Sequence, residues 1–207
     1  GYFVYDSKKA GSMTISHLRF GPKPIKGSYL VSEAQFVACH QERLMQTIDI
    51  LKLASPGATF LLNCAEPQTI WQRLPVHIKR RIVEKKIKFY AIDAYKVARE
   101  AGLGPRINTV MQTCYFHITK LLPGFMDLIK GAIKKSYTSK GEAVVTKNIK
   151  AVDDALAGLV EVKVPAETFP AATEFKSMVP PHAPEFVRKT TAELMAYRGD
   201  DLPVSAF

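Results

Sequence analysis

One stretch constrains the fold more than any other: Lys88 to His117, KFYAIDAYKVAREAGLGPRINTVMQTCYFH. Phe89 to Ile92 is an apolar run short enough for a buried strand, and it ends on the polar Asp93. Ala94 to Ala101 has the pattern of a short helix. Gly102 and Gly104 then break the chain into a loop with Pro105, Arg106 and Ile107, and a long helix is expected from Asn108. The loop is expected at the carboxyl end of a parallel strand, where open α/β sheets bind ligands. The Asn108 side chain suits a helix cap, because its oxygen can accept from amides of the first turn. Arg106, beside a helix amino end, suits an anion, since the amides and the dipole both favour negative charge. A strand, a loop and a capped helix recur throughout α/β proteins, so a purely structural Asn108 stays open beside the ligand reading.

Composition narrows the class. The 207 residues are 47% hydrophobic, enough for one sizeable domain or a domain with an appendage. No apolar run approaches the roughly 18 residues that cross a bilayer. The amino end lacks the plan of a signal peptide, and GYFVY reads as a strand already under way, so a piece of a longer polypeptide is expected. The net charge of +10 attracts phosphorylated small molecules, nucleic acid or anionic membrane, but its lysines and arginines are spread out. No aromatic-and-basic motif or zinc-finger spacing accompanies them, so a nucleic-acid module is the weaker reading. Three widely spaced cysteines, Cys39, Cys64 and Cys114, predict reduced, buried thiols, a cytoplasmic or otherwise reducing compartment, and no iron–sulfur cluster on this chain.

Taken in order, residues 2–6 and 13–20 are expected to form a hairpin, with a bulge near Ser16-His17 where the alternation falters. Lys8 and Lys9 lie on its turn. Pro22 and Pro24 stiffen a connection that leads to a short strand at Tyr29 to Val31. Gln35 to Cys39 reads as a fully buried strand followed by His40. Gln41 to Leu53 reads as a helix, and Thr59 to Leu62 as a buried strand ending at Asn63. A helix from Pro67 to Leu74 and another from Val76 to Ile87 follow, the second with a wet outer face of Lys79, Arg80, Arg81, Lys85 and Lys86. Helices are also expected over Asn108 to Leu122 (with His117 near the edge of its apolar face), Phe125 to Tyr137 with Leu128 inward, and Glu142 to Leu159. Asn148 lies at the margin of the last apolar stripe and needs a partner, protein or ligand. From Val164 a proline-rich segment reads as an extended arm leaving the domain, with a short helix at Glu185 to Tyr197. The expected architecture is a doubly wound, three-layer α/β/α domain with a mostly parallel central sheet, an N-terminal hairpin and a C-terminal arm. Residues 1–165 would form the domain and 166–207 the arm.

No nucleophile elbow, Walker loop, HExxH or CxxC is present, and no GDG motif of a thiamine-diphosphate site. Asp93, His40 and His117 have no partner visible in sequence. On residues alone this is a basic α/β domain able to hold an anionic ligand, with no chemistry of its own in view.

Several runs together, SHLRFGPKPI, FVACHQ, GATFLLN, KKIKFYAIDAYKVAREAGLGPRIN, VMQTCYF and KGEAVVTKN, resemble the third, gamma-type domain of pyruvate:ferredoxin (flavodoxin) oxidoreductases. The likeness extends over about residues 1–165, and GDDLPVSAF resembles the run toward the next domain. The resemblance implies a parent homodimer that decarboxylates pyruvate on thiamine diphosphate with magnesium. It passes electrons through [4Fe-4S] clusters to ferredoxin, flavodoxin or a fused flavin domain, and delivers acetyl to coenzyme A. The thiamine and cluster sites are implied in other domains, this domain being the one associated with coenzyme A and inactive alone. The contacts implied are the lysine of DSKK (Lys8 or Lys9), Asn108 of the GxRIN loop, and Asn148 of VxxN. Two departures stand out. The family's glycine-rich phosphate loop lies upstream of GYFVYD, where this sequence starts, and Pro105 stands where many relatives carry glycine. The alternatives are a structural, subunit-contact domain without its own ligand, and a polyanion-binding module.

Overall fold

The computed structural model of the 207-residue chain describes residues 2–5, the first of these segments as backbone only, together with residues 13–169 and 176–207. Lys8 and Lys9 therefore lie outside the described residues. Strands β1 (Tyr2–Tyr5) and β2 (Thr14–His17) pair antiparallel, Tyr2 with His17 through Tyr5 with Thr14. That register is uninterrupted, so the expected bulge at Ser16-His17 is absent. β2 alternates in burial in step with the two-residue period of a strand.

The connection after β2 holds no strand at Tyr29 to Val31. Arg19 instead donates to the carbonyl oxygens of Gly27 and Tyr29, and its guanidinium lies over the Tyr29 ring at 4.1 Å. With Pro22 and Pro24 fixing φ, this clasp takes the place of ladder hydrogen bonds. Leu18, Phe20, Ile25, Tyr29 and Leu30 remain exposed along it.

The main sheet has the order β3-β4-β5-β6, with β3 (Ala34–Cys39), β4 (Ala54–Asn63) and β5 (Lys88–Ile92) parallel and the short β6 (Val160–Glu161) antiparallel at one edge. β3 is the opposite edge. That position corrects its expected full burial: only Cys39 is buried. Between β3 and β4 a 3-10 turn, Glu42–Gln46, and further turns replace the helix expected over Gln41 to Leu53. The segment is held by the domain rather than by its own periodicity. Met45 and Leu51 are buried in the core, and the Lys85 ammonium donates to the carbonyls of Leu51, Lys52 and Ala54. Ser55-Pro56-Gly57 bows out of β4. Ala34 faces Ala54, yet Phe36 faces Thr59, and Gly57 takes φ +74°, which a side chain would resist.

β4 shows the three layers residue by residue. Phe60 and Leu62 pack on one side with Phe89, Ala91 and the helices α1 (Ile70–Arg73) and α2 (Val76–Glu84). Leu61 points to the other side, into a core shared with Ile92 and helices α3 (Ala94–Glu100), α4 (Asn108–Thr119) and α6 (Glu142–Ala155). Phe60 and Phe89 stack at 5.2 Å between ring centres. Helix α5 (Phe125–Tyr137) joins through Ile129 and Ile133, which meet Val145 and Val152 of α6, whereas Leu128, expected inward, is exposed.

The outer face of α2 is not simply wet. Arg81 is paired with Asp49 at 2.9 Å, Lys85 is spent on the three carbonyls, and Lys79 lies over the Trp71 ring at 5.7 Å. Arg81 and Lys85 thereby anchor the irregular 41–53 segment to the helix. The C-terminal arm also differs from its expected course, because it returns to the domain. Trp71 donates to Glu167, the Lys176 amide donates to the Gln46 carbonyl, and Lys52 pairs with Asp201 at 2.7 Å. A π-helical turn, Val187–Thr191, runs into helix α7 (Ala192–Met195) where the short helix is expected. Among the described residues no helix is long and apolar enough to cross a membrane.

Candidate ligand-binding loop

Asp93 ends β5 and caps α3, its Oδ1 accepting from the Lys96 amide at 2.8 Å. This is a side-chain cap of α3, whereas the cap expected of Asn108 on α4 is not made. α3 stands between the carboxyl end of β5 and the glycine loop, so the loop is not the strand-end loop the sequence suggested. At that strand end Asn63 is buried and bridges two elements. Its amide nitrogen donates to the His40 carbonyl at 3.0 Å, and its oxygen accepts from the Ala94 amide at 2.9 Å. A shallow cleft of about 270 Å³ opens beside it, lined in part by His40, Arg43, Cys64 and Tyr95. Burial holds the His40 imidazole below the ordinary histidine range. His117 is exposed and meets the edge of Phe125, away from this cleft.

The loop after α3 is built on two left-handed glycines, Gly102 at φ +78° and Gly104 at φ +63°. Leu103 and Ile107 anchor it in the core, and the Leu103 amide donates to the Ala98 carbonyl. Arg106 and Asn108 face solvent between these anchors. α4 begins at Asn108, with Ile107 at the cap position and no side-chain cap hydrogen bond. Asn108 is already inside the helix, where its side chain cannot fold back onto the first turn as a cap does. Neither Arg106 nor Asn108 has a side-chain hydrogen bond to a described residue.

Asn148 is buried in α6 and partnered by protein. Its oxygen accepts from the Thr109 hydroxyl at 3.0 Å, and its nitrogen donates to the Val144 carbonyl at 2.9 Å. The structure thus joins the GxRIN loop to VxxN through Thr109, the residue after Asn108. Thr109 escaped the sequence reading because a threonine in a first helical turn usually serves only its own helix. Lys147 was also missed. Its methylene chain lies against Gly102, where a Cβ would meet its Cε at 3.2 Å.

The three thiols are free and buried, and burial pushes Cys39 up to about 11 and Cys64 and Cys114 up to about 12. Among the described residues no three His, Cys, Asp or Glu side chains converge as a metal site. A thiol held protonated at neutral pH is a poor nucleophile.

A glycine loop with exposed Arg106 and Asn108, cross-linked to a second helix, is thus carried on a three-layer α/β/α domain. The family of pyruvate ferredoxin/flavodoxin oxidoreductases matches residues 1–158, and this chain belongs to it. A domain of unknown function matches residues 172–207. The putative pyruvate-flavodoxin oxidoreductase of Synechocystis sp. is 49% identical over the whole chain, and the pyruvate:ferredoxin oxidoreductase of Moorella thermoacetica 45%. The chain spans 17% and 18% of the length of these two relatives. Among solved structures, pyruvate oxidoreductase subunit PORC of Thermotoga maritima superposes with a TM-score of 0.50 at 19% identity, covering 63% of this chain and 66% of that one, a likeness of fold.

Proposed function

We propose that this chain is the coenzyme A-binding domain of a pyruvate oxidoreductase, with residues 1–165 as the domain and 166–207 as the arm. The parent enzyme converts pyruvate to acetyl-coenzyme A and carbon dioxide. It uses thiamine diphosphate, magnesium and iron–sulfur clusters held in other domains, and ferredoxin or flavodoxin accepts the electrons. The observation that supports the reading is the Thr109–Asn148 hydrogen bond, by which the buried asparagine of the second motif holds the start of α4, and with it the exposed Asn108, beside the glycine loop. Arg106 offers a fork for a phosphate, and Asn108 offers both a donor and an acceptor for ribose, adenine or pantetheine groups. The domain supplies binding and orientation only, and the chain alone is expected to turn over no pyruvate.

Calorimetric titration with coenzyme A tests this. Asn108→Ala is expected to weaken binding several-fold, the scale of one net hydrogen bond of about 1 kcal/mol. Arg106→Met is expected to weaken it further at low salt than at high salt, because exposed charge is screened. Absence of saturable binding to the unmodified chain would defeat the reading. One observation favours a purely structural role for Asn148: both its oxygen and its nitrogen already have protein partners. Asn148→Ala is accordingly expected to act through the placement of α4, lowering stability as well as affinity.

A further inference from the structure

We propose that Lys147 is a further phosphate-binding residue of this site, its ammonium held at the rim of the loop by the packing of its stem on Gly102. The inference rests on the coenzyme A reading above. Lys147 precedes Asn148 on α6, so the helix turn that fixes the buried amide also fixes the lysine's starting point. Its methylenes lie flat on the loop: a Cβ built on Gly102 would meet Cε at 3.2 Å, Cδ at 3.3 Å and Cγ at 3.6 Å. A lysine stem spread over a backbone keeps the head in water while losing part of its rotamer freedom before any ligand arrives. Gly102 stands at φ +78°, so a side chain there is resisted both by its backbone conformation and by the lysine.

Charge pairing singles out the same group. The neighbouring lysine Lys150 is paired with Asp154 on its own helix, and Lys130 with Asp153. Lys147 is exposed and takes no carboxylate among the described residues, and the same is true of Arg106 on the other side of Gly104. Two uncommitted cations thus flank a loop whose Gly104 has nothing within 4 Å of where a Cβ would stand, which permits close approach. A phosphate is the group that both would serve: Arg106 by its planar fork, Lys147 as a point charge.

The test is calorimetric titration of the full chain with coenzyme A and with dephospho-coenzyme A, comparing unmodified protein with Lys147→Met and Lys147→Arg. Methionine keeps most of the stem and removes the charge. Because the side chain is exposed, thermal unfolding of Lys147→Met is expected to match the unmodified chain. Lys147→Met is expected to bind coenzyme A about tenfold more weakly, the size of one charge-assisted hydrogen bond in part screened by solvent, while Lys147→Arg keeps most of the affinity. The affinity lost is expected to shrink at high salt. A loss equal for both ligands assigns the ammonium to the pyrophosphate, and a loss confined to coenzyme A assigns it to the 3′-phosphate. Unchanged affinity in Lys147→Met, with Asn108→Ala still weakened, overturns the role of Lys147 and leaves the coenzyme A reading standing. No binding to the unmodified chain overturns both.

Discussion

Asn63→Leu is expected to lower the stability of the domain by about 3 kcal/mol, with the loss read from the denaturation midpoint at unchanged slope. Leucine keeps the branched heavy-atom skeleton of asparagine but is bulkier, so the change opens no cavity and adds some crowding. What it removes is the link between three pieces of chain. The Ala94 amide, buried at the start of α3, loses its acceptor, and the His40 carbonyl after β3 loses its donor. A buried group left unpaired costs about 1–3 kcal/mol; the Ala94 amide is such a group, and the part-buried His40 carbonyl adds a smaller cost. Asn63→Asp separates the halves of this effect. It restores an acceptor for Ala94, removes the donor to His40, and buries a carboxylate, so its penalty should grow as pH rises through the carboxylate range. A loss below about 1 kcal/mol for leucine would show that water from the neighbouring cleft replaces both bonds.

The second large effect concerns the thiols in alkaline solution. Desolvation is the leading cause that raises Cys39 to about 11 and Cys64 and Cys114 to about 12, from an ordinary value of 9.0. Below about pH 9 both folded and unfolded thiols hold their protons, and the groups contribute no pH dependence. Above it the unfolded chain releases protons that the folded chain retains, so stability falls as pH rises toward the folded values. Each thiol then contributes a slope of about 1.4 kcal/mol per pH unit. Cys114→Ala is expected to remove one such slope between pH 9 and 11, measured by urea unfolding at several pH values. The same burial predicts that at pH 8 a thiol reagent labels the native protein at least about a hundredfold more slowly than the unfolded one. Rapid labelling of native protein would contradict the burial of these thiols.

Which features the sequence revealed follows from how local their causes are. β5, α3, α4 and α5 stood out because apolar period, glycines and helix ends lie within one short window. α5 falls at Phe125–Tyr137 as its pattern predicts. The segment 41–53 shows helical spacing at Leu44, Ile48 and Leu51, yet it forms only a short 3-10 turn. Lysine and arginine from α2, some 30 positions away, hold it instead, and no local pattern reports such a contact. Burial of β3 was overestimated because an apolar run looks the same at the edge of a sheet and at its centre. In the site, Arg106 and Asn108 were legible from the glycine loop. Asn148 was legible only as a polar residue in need of a partner, and its partner Thr109 lies 39 residues earlier. Lys147 is visible only once Gly102 is seen to lack the Cβ that the lysine would strike.

The pairing register also bears on how such a sheet comes together in time. Phe36 meets Thr59, Thr59 meets Lys88, and Tyr90 meets Glu161, so each added strand must be fetched from far along the chain. Closing such loops is an entropic debt incurred before any ladder bond forms, and it sets topologies of this kind among the slower folders. The longest closure belongs to β6, which four helices separate from β5 in the chain. Wherever Val160 has not yet met Ala91, β5 is an open hydrogen-bonding edge of the sheet, the kind of edge on which strands of other chains can pair.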